Sequence, residues 1–142
     1  MSTLRQRVVS EARAWLGTPY HAHARVRGVG VDCVHLMCAV FEHVGLISPF
    51  DPGMYPISWA LHRSQELYMA GLDSRASRID APHAGDVALF KYGRTFSHAG
   101  IVTADGTLVH ALARVGVIES PLAAAPLAER AVIFYDLYSI RS

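Results

Sequence analysis

The segment FSHAGIVTADGTLVHAL, residues 96–112, contains two largely apolar runs that are separated by Asp105-Gly106. Strands show a period of two along the chain, and an Asp-Gly pair between two such runs is a strong hairpin signal. The same period marks the predicted strands of the carboxy-terminal half: VALFKY, FSHAGIVT, TLVHAL, VGVI and AVIFYDLY. This half is therefore predicted to form an antiparallel sheet.

The length of the hairpin loop decides whether His98 and His110 lie on the same face of that sheet. A two-residue loop would put the two imidazoles on opposite faces. A three-residue loop, residues 104–106 with its glycine in the left-handed region, pairs Thr103 with Thr107 instead. The two histidines then become diagonal neighbours on one face. We predict the three-residue loop.

The amino-terminal half shows helical spacing of its apolar residues. Helices are predicted at residues 3–16, from about residue 33 to 44, and at about residues 57–70, the second with Asp32 as N-cap and Gly45 as stop. TPYHAHARVRGVGV is predicted as a loop and LDSRASRIDAPHAGD as a surface connection. Helices followed by strands indicate an α+β fold, with amino-terminal helices packed on a five- to six-stranded antiparallel sheet.

Length and composition limit the classes of protein to consider. The chain has 142 residues, which predicts a single domain over 1–142, and its formal net charge of +1 gives no electrostatic reason to expect nucleic acid or a membrane surface as partner. The amino terminus lacks the apolar region of a signal peptide, and no apolar run is long enough to span a bilayer. Synthesis in the cytoplasm without a signal peptide is expected.

Cys33 is predicted to begin the second helix, directly after Asp32. The free N–H groups and positive dipole end of a helix start favour a thiolate, which is the nucleophilic form of cysteine. The alternative is that Cys33 is a small buried hydrophobic residue. Cys38 lies five residues further on, about 140° around the helix, so two thiols are more plausible than a disulfide.

Position selects two of the eight histidines as partners for Cys33. His35 and His43 are expected on the outer face of the second helix, and His21 with His23 forms a His-x-His loop without companion metal ligands. Two others, His62 and His83, are expected at the surface. His98 and His110 remain.

The trio would support acyl-transfer chemistry. Cys33 attacks a carbonyl, His98 takes and returns the proton, and His110 orients His98. The backbone N–H of Cys33, with the hydroxyl of Tyr20, would stabilise the oxyanion. A zinc site made by the same trio is a further interpretation, but it lacks a fourth ligand and paired-cysteine spacing, so no metal or cofactor is predicted.

The order of five motifs, WLGTPY, DC at the head of a helix, GDVALF, SHAGIV and LVHA, resembles the NlpC/P60 family of papain-like cysteine peptidases. The resemblance covers about residues 15–111 and implies hydrolysis of stem-peptide linkages in bacterial peptidoglycan. It also implies roles for single residues: Cys33 as nucleophile, His98 as base, His110 as third polar residue, Tyr20 as the aromatic facing the nucleophile and Asp32 as the acidic residue before it.

The closing stretch from residue 108 to about residue 135 is most similar to phage-encoded members of that family. This similarity implies a tail-associated protein, with tail proteins as partners and the cell wall as destination. Many members continue the nucleophile as Asp-Cys-Ser-Gly, whereas this chain has Val34 and His35 there. A structural tail-assembly or tail-tip protein with little or no hydrolase activity is therefore the alternative function.

Overall fold

The computed structural model describes residues 3–47, 76–93, 95–124 and 127–138. Two α-helices lie in these ranges, α1 (Leu4–Arg13) and α2 (Cys33–His43). The strands in chain order are β1 (Arg25–Val26), β2 (Gly30–Val31), β3 (Ser77–Ile79), β4 (Val87–Tyr92), β5 (Thr95–Val102), β6 (Thr107–Leu112), β7 (Gly116–Pro121) and β8 (Val132–Asp136). A short 3-10 helix, Leu127–Glu129, precedes β8.

Six of the strands form one antiparallel sheet, in the spatial order β3-β8-β4-β5-β6-β7. The two remaining strands, β1 and β2, pair with each other as a short hairpin before α2. The predicted α+β fold, with helices packed on an antiparallel sheet, is confirmed for the described residues. The predicted third helix lies outside them.

The two faces of the sheet contribute to different apolar clusters. One face packs against both helices in the main core, to which the helices contribute Val8, Ala12, Leu36, Val40 and Phe41, and the sheet Val87, Leu89, Ala99, Ile101, Val109, Ala111 and Val117. The other face carries a smaller cluster with Ala88, Phe90, Val102, Leu108 and Leu127. Burying an aliphatic side chain of this kind contributes about 1.5–3 kcal/mol, so the helical layer is held mainly by the first face.

Two segments differ from the prediction. The stretch predicted as a loop before α2 contains β1 and β2, and the predicted surface connection contains β3, which pairs with β8 at the sheet edge. Strands of two or three residues are too short to show a period of two in the sequence. Whether such a segment is a strand depends on the segment with which it pairs. No helix within the described ranges is long and apolar enough to cross a membrane.

Candidate active site

Cys33 is the first residue of α2, directly after the N-cap Asp32, as predicted. The backbone of Tyr20 forms a parallel β-bridge with Val31, so the segment that follows α1 is joined to the chain two residues before Cys33. Cys33 and Cys38 are both thiols, but they differ in exposure: Cys38 is buried, whereas Cys33 is half-buried. The structure therefore places the thiol of Cys33 at a helix start where a ligand can reach it.

Asp32 holds this helix start through three hydrogen bonds. Its carboxylate accepts from the backbone N–H of His35 at 2.9 Å, from the His35 ring Nδ1 at 2.8 Å, and from the backbone N–H of His23 at 2.7 Å. Burial raises the pKa of Asp32, but the hydrogen bonds from His35 and His23 outweigh it and lower the pKa below its ordinary value. The Asp32 carboxylate is therefore ionised and accepts three hydrogen bonds.

The expectation that His35 lies on the outer face of α2 is wrong. Its exposed fraction is only 5%. The N–H of His23 donates to the Asp32 carboxylate, so the loop that carries His23 lies against the first turn of α2. The signal in the sequence was an Asp at the N-cap with a His three residues later, because residues at that spacing are neighbours on a helix.

Tyr20 lies beside the nucleophile segment. Burial, and then negative charge at Cys33 and at Asp32, raise the pKa of the Tyr20 phenol above its ordinary value. The phenol is therefore a hydrogen-bond donor at every physiological pH. Tyr20, Cys33 and Phe96 all pack against the main core cluster, so the aromatic ring is fixed on the side of the sheet that carries α2.

The hairpin of β5 and β6 has the predicted register. Gly100 pairs with His110, and the N–H of Thr103 donates to the carbonyl of Thr107 at 2.9 Å. Gly106 has φ +73°, the left-handed conformation that the three-residue loop requires. As a result, Nε2 of His98 lies 2.6 Å from Nδ1 of His110.

The histidine pair is shielded from water, with exposed fractions of 7% for His98 and 2% for His110. Burial, and then the charges of His110 and Arg130, lower the pKa of His98, and burial lowers that of His110. Both rings are therefore neutral at pH 7, and the hydrogen bond between them uses one N–H. Nδ1 of His98 is the ring nitrogen that this bond leaves for a thiol.

Further groups surround the pair. The ring of Tyr92 lies 4.8 Å from that of His98, and the guanidinium of Arg130 stacks on Tyr92 at 3.6 Å from the ring centre. On the other side, Nε2 of His110 lies 2.9 Å from the hydroxyl of Ser120 on β7. Neither contact was predicted, since both depend on strand order and on the segment before β8.

A β-bulge at Ser97 places Phe96 and His98 on opposite faces of the sheet. Phe90 pairs with His98 and Lys91 with Phe96, so Ser97 is an extra residue in β5. Phe96 and His98 would share a face of a regular strand, but here Phe96 packs on the main core while His98 contacts Tyr92 on the other side. The thiol of Cys33 lies 3.9 Å from the carbonyl oxygen of Ser97, the residue before His98.

The five predicted site residues thus form two groups on opposite faces of the sheet, and the contact of the Cys33 thiol with the carbonyl oxygen of Ser97 links them. Asp32, Cys33 and Tyr20 lie at the start of α2, and His98 and His110 lie on the β5–β6 hairpin. His83 and His43 are exposed, as expected for surface residues. Within the ranges that the structure covers, no group of three or more His, Cys, Asp and Glu side chains is arranged to hold a metal ion.

Comparison with known proteins decides the family. The model of the NlpC/P60 family matches residues 17–135. The chain belongs to the NlpC/P60 family. A search of curated proteins finds no significant match. The fold of this NlpC/P60 domain is shared with several solved structures that are less than 25% identical to it.

Three of these structures illustrate how the family members differ in identity to this chain, in coverage and in described activity. The NlpC/p60 domain of the peptidoglycan hydrolase SagA is 20% identical, with a TM-score of 0.62, and the match covers 91% of this chain and 96% of that one. A family protein from Bacillus cereus has 18% identity and a TM-score of 0.68, but the match covers 94% of this chain and only 40% of that one. RipD from Mycobacterium tuberculosis, a non-catalytic domain adapted to peptidoglycan binding, has 14% identity and a TM-score of 0.59, with 96% and 99% covered.

Proposed function

We propose that this NlpC/P60 domain is a cysteine peptidase that hydrolyses amide bonds in the stem peptide of peptidoglycan, with Cys33, His98 and His110 as its catalytic triad. The observation that carries the proposal is the position of the Cys33 thiol, 3.9 Å from the carbonyl oxygen of Ser97, which directly precedes His98 of the buried histidine pair. Membership of the family and the description of SagA as a peptidoglycan hydrolase support the choice of substrate.

The reaction would run in two acyl transfers. The sulfur of Cys33 attacks the carbonyl carbon while Nδ1 of His98 takes the thiol proton, and His98 then gives that proton to the departing amine as the C–N bond breaks. A water that is deprotonated by His98 next attacks the thioester, which releases the acid and restores the thiol. Burial keeps His98 neutral at rest, so the lone pair at Nδ1 is present when the thiol proton is transferred.

The start of α2 would supply the oxyanion donors. The backbone N–H of Cys33 belongs to the first turn, whose N–H groups have no partner within the helix. The Tyr20 hydroxyl keeps its proton because its pKa is raised, so it can donate to the same oxygen. Asp32 would fix the first turn of α2 through its hydrogen bonds with His35 and His23.

Wall fragments of defined stem-peptide composition, followed by mass spectrometry, test the proposal. We expect new amine and carboxyl termini with the unmodified chain, no turnover with Cys33→Ser, and a loss of about 100-fold or more with His98→Ala. Cys38→Ser is the matched control, because Cys38 lies in the same helix but is buried, and it should keep full turnover. Turnover that survives in Cys33→Ser would overturn the triad.

A second candidate function is a structural or peptidoglycan-binding protein with little or no turnover. The observation that favours it is the pair Val34 and His35 after the nucleophile, with the His35 ring held on Asp32. RipD shows that a domain of this fold can be non-catalytic. Binding of wall fragments without any cleavage, equal in the unmodified chain and in Cys33→Ser, would favour this candidate.

We also propose that the protein is associated with a phage tail or a related particle that brings it to the cell wall. Support comes from the sequence similarity of the closing stretch to phage-encoded members. Mass spectrometry of particles purified from a producing culture tests this, with the chain expected in the tail fraction and not only in the soluble lysate. Its absence from purified particles would contradict the association but leave the peptidase proposal intact.

A further inference from the structure

The hydroxyl of Ser120 is the outermost member of a hydrogen-bonded row that starts at His98. Ser120 pairs with Leu108 in the sheet, and His110 pairs with Ile118, so Ser120 and His110 lie on one face as diagonal neighbours. The row runs from Nε2 of His98 to Nδ1 of His110 at 2.6 Å, and from Nε2 of His110 to Oγ of Ser120 at 2.9 Å. We propose that Ser120 is a positioning residue that fixes the tautomer of His110 and, through it, that of His98.

The proton positions along the row follow from the reaction. If His98 is to accept a thiol proton at Nδ1, its single N–H must be at Nε2, where it donates to Nδ1 of His110. His110 must then carry its own N–H at Nε2, and Ser120 Oγ accepts from it. In the reverse order His98 carries its proton at Nδ1 and cannot act as a base toward a thiol.

Burial makes the serine necessary. His110 has an exposed fraction of 2%, and a buried N–H without an acceptor is costlier and rarer than an unfilled acceptor. Without the Ser120 hydroxyl, the productive order would leave the Nε2–H of His110 without its acceptor, whereas the reverse order leaves only a lone pair. Ser120 therefore favours the productive order by accepting.

Glu119, the acidic residue next to Ser120, is not the acceptor for Nε2–H of His110. Glu119 pairs with Val109 on the opposite face of the sheet, and its carboxylate accepts from Arg13 and from the hydroxyl of Thr107. On the other side of the row, Tyr92 contacts the ring of His98, and Arg130 stacks on Tyr92. The inference rests on the proposed function for its catalytic meaning, but the tautomer itself can be measured without any substrate.

The test compares the full chain with Ser120→Ala and with Ser120→Thr, which keeps a hydroxyl. Two-bond proton–nitrogen correlation spectra report the histidine tautomers, and His110→Gln identifies the signals of His110. We expect an Nε2–H tautomer for His110 in the unmodified chain and in Ser120→Thr, and a shift toward Nδ1–H in Ser120→Ala. Ser77→Ala, a half-buried serine of the far edge strand β3, is the matched control and should leave the spectrum unchanged.

Two further readouts link the tautomer to chemistry. Alkylation of Cys33 by iodoacetamide at pH 7, with Cys38 as internal reference, should slow severalfold in Ser120→Ala and recover in Ser120→Thr. Turnover of wall fragments should fall about tenfold in kcat with little change in KM, which is the size of a modest general-base defect.

The outcomes separate this inference from the proposed function. An Nδ1–H tautomer of His110 in the unmodified chain would overturn the inference, and so would a Ser120→Ala spectrum and alkylation rate equal to those of the unmodified chain. If the tautomer and the alkylation rate respond to Ser120→Ala but no wall fragment is ever cleaved, the role of Ser120 stands and the peptidase proposal fails.

Discussion

The Asp32–His35 pair and the His98–His110 pair are both buried, and they differ in what they can do. His35 and Asp32 are three residues apart at one helix start, with 2.8 Å between Nδ1 and the carboxylate. His98 and His110 are twelve residues apart on neighbouring strands, with 2.6 Å between their rings. The first pair contains a charge that three donors stabilise, whereas the second pair contains none. A charged pair of this kind holds structure, and a neutral one can move a proton.

The pKa shifts agree with this division. Hydrogen bonds keep the pKa of Asp32 low in spite of burial, so its carboxylate stays ionised and bound to its donors. Burial lowers the pKa of both His98 and His110, so neither ring holds an extra proton at rest. The protein thus separates a fixed anion, which orders the nucleophile segment, from a neutral base on the sheet.

Among the substitutions, removal of the Asp32 carboxylate should have the largest effect. Asp32→Ala deletes the helix cap and leaves the His35 ring and the His23 N–H buried without their acceptor, so we expect a loss of about 3 kcal/mol in the free energy of unfolding. Denaturant unfolding measures it. Asp80→Ala is the control, because Asp80 is exposed, and it should change stability by less than about 0.5 kcal/mol. A loss below about 1 kcal/mol for Asp32→Ala would mean that the pair is not structural.

Gly100→Ala should break the second pair by moving the strands that carry it. A Cβ at Gly100 would lie 2.7 Å from Cγ of Leu108 and 2.8 Å from the carbonyl oxygen of Val109, so something must shift. We expect a loss of about 2 kcal/mol, typical of overpacking, together with a weakened His98–His110 hydrogen bond. Unfolding experiments and histidine NMR spectra measure the two effects.

A matched glycine separates crowding from backbone strain. A Cβ at Gly93 meets no atom within 4 Å, although its φ of +68° makes any side chain unfavourable there. Gly93→Ala should therefore cost about 1 kcal/mol and leave the histidine spectra unchanged. Equal spectra for Gly93→Ala and Gly100→Ala would show that the close approach at Gly100 does not hold the histidine pair.

Acid should affect the two pairs in different pH windows. In the unfolded chain, histidines take up protons near pH 6.5, whereas in the folded protein burial holds the pKa of His98 at about 3 and that of His110 at about 4. The unfolded state then binds more protons between these values, so stability is lost as the pH falls from about 6.5 to about 4. We expect a loss on the order of 3 kcal/mol for each of the two histidines over this window.

The Asp32 pair has the lower window. A carboxylate whose pKa is lowered on folding contributes stability above its unfolded pKa of about 3.9, and the contribution is lost as the pH falls further. Unfolding free energies measured from pH 7 to pH 3 should therefore fall in two steps. The double variant His98→Gln with His110→Gln should lack the upper step, and an unchanged upper step in it would assign that step to other groups.

The hairpin and its histidines could be predicted from the sequence because their causes are local. The Asp105-Gly106 turn sets the loop length, and this length sets the register that pairs Gly100 with His110. The start of α2 was equally local, since Asp32 is a good N-cap and Cys33 follows it. These features need only a few neighbouring residues to determine them.

What could not be predicted depends on contacts between distant parts of the chain. The bulge at Ser97 reflects the packing of Phe96 against the main core, and the burial of His35 depends on the loop that carries His23. Ser120 reaches His110 only because β7 pairs with β6 in one particular register. A period of two or of 3.6 residues contains no information about such contacts.

The smallest expected loss of stability is that of Thr3→Ala, which removes a helix cap without a buried histidine beside it. Thr3 caps α1 through a capping box with Gln6, in which the Thr3 hydroxyl accepts from the Gln6 N–H at 3.1 Å and the Gln6 side chain accepts from the Thr3 N–H at 2.8 Å. Both residues are exposed, so water can replace the lost partner, and Thr3→Ala should cost about 1 kcal/mol. Because Asp32 and Thr3 do the same work for their helices, the excess loss in Asp32→Ala measures what the His35 ring and the His23 N–H add. Equal losses in the two variants would show that the buried histidine adds nothing beyond an ordinary cap.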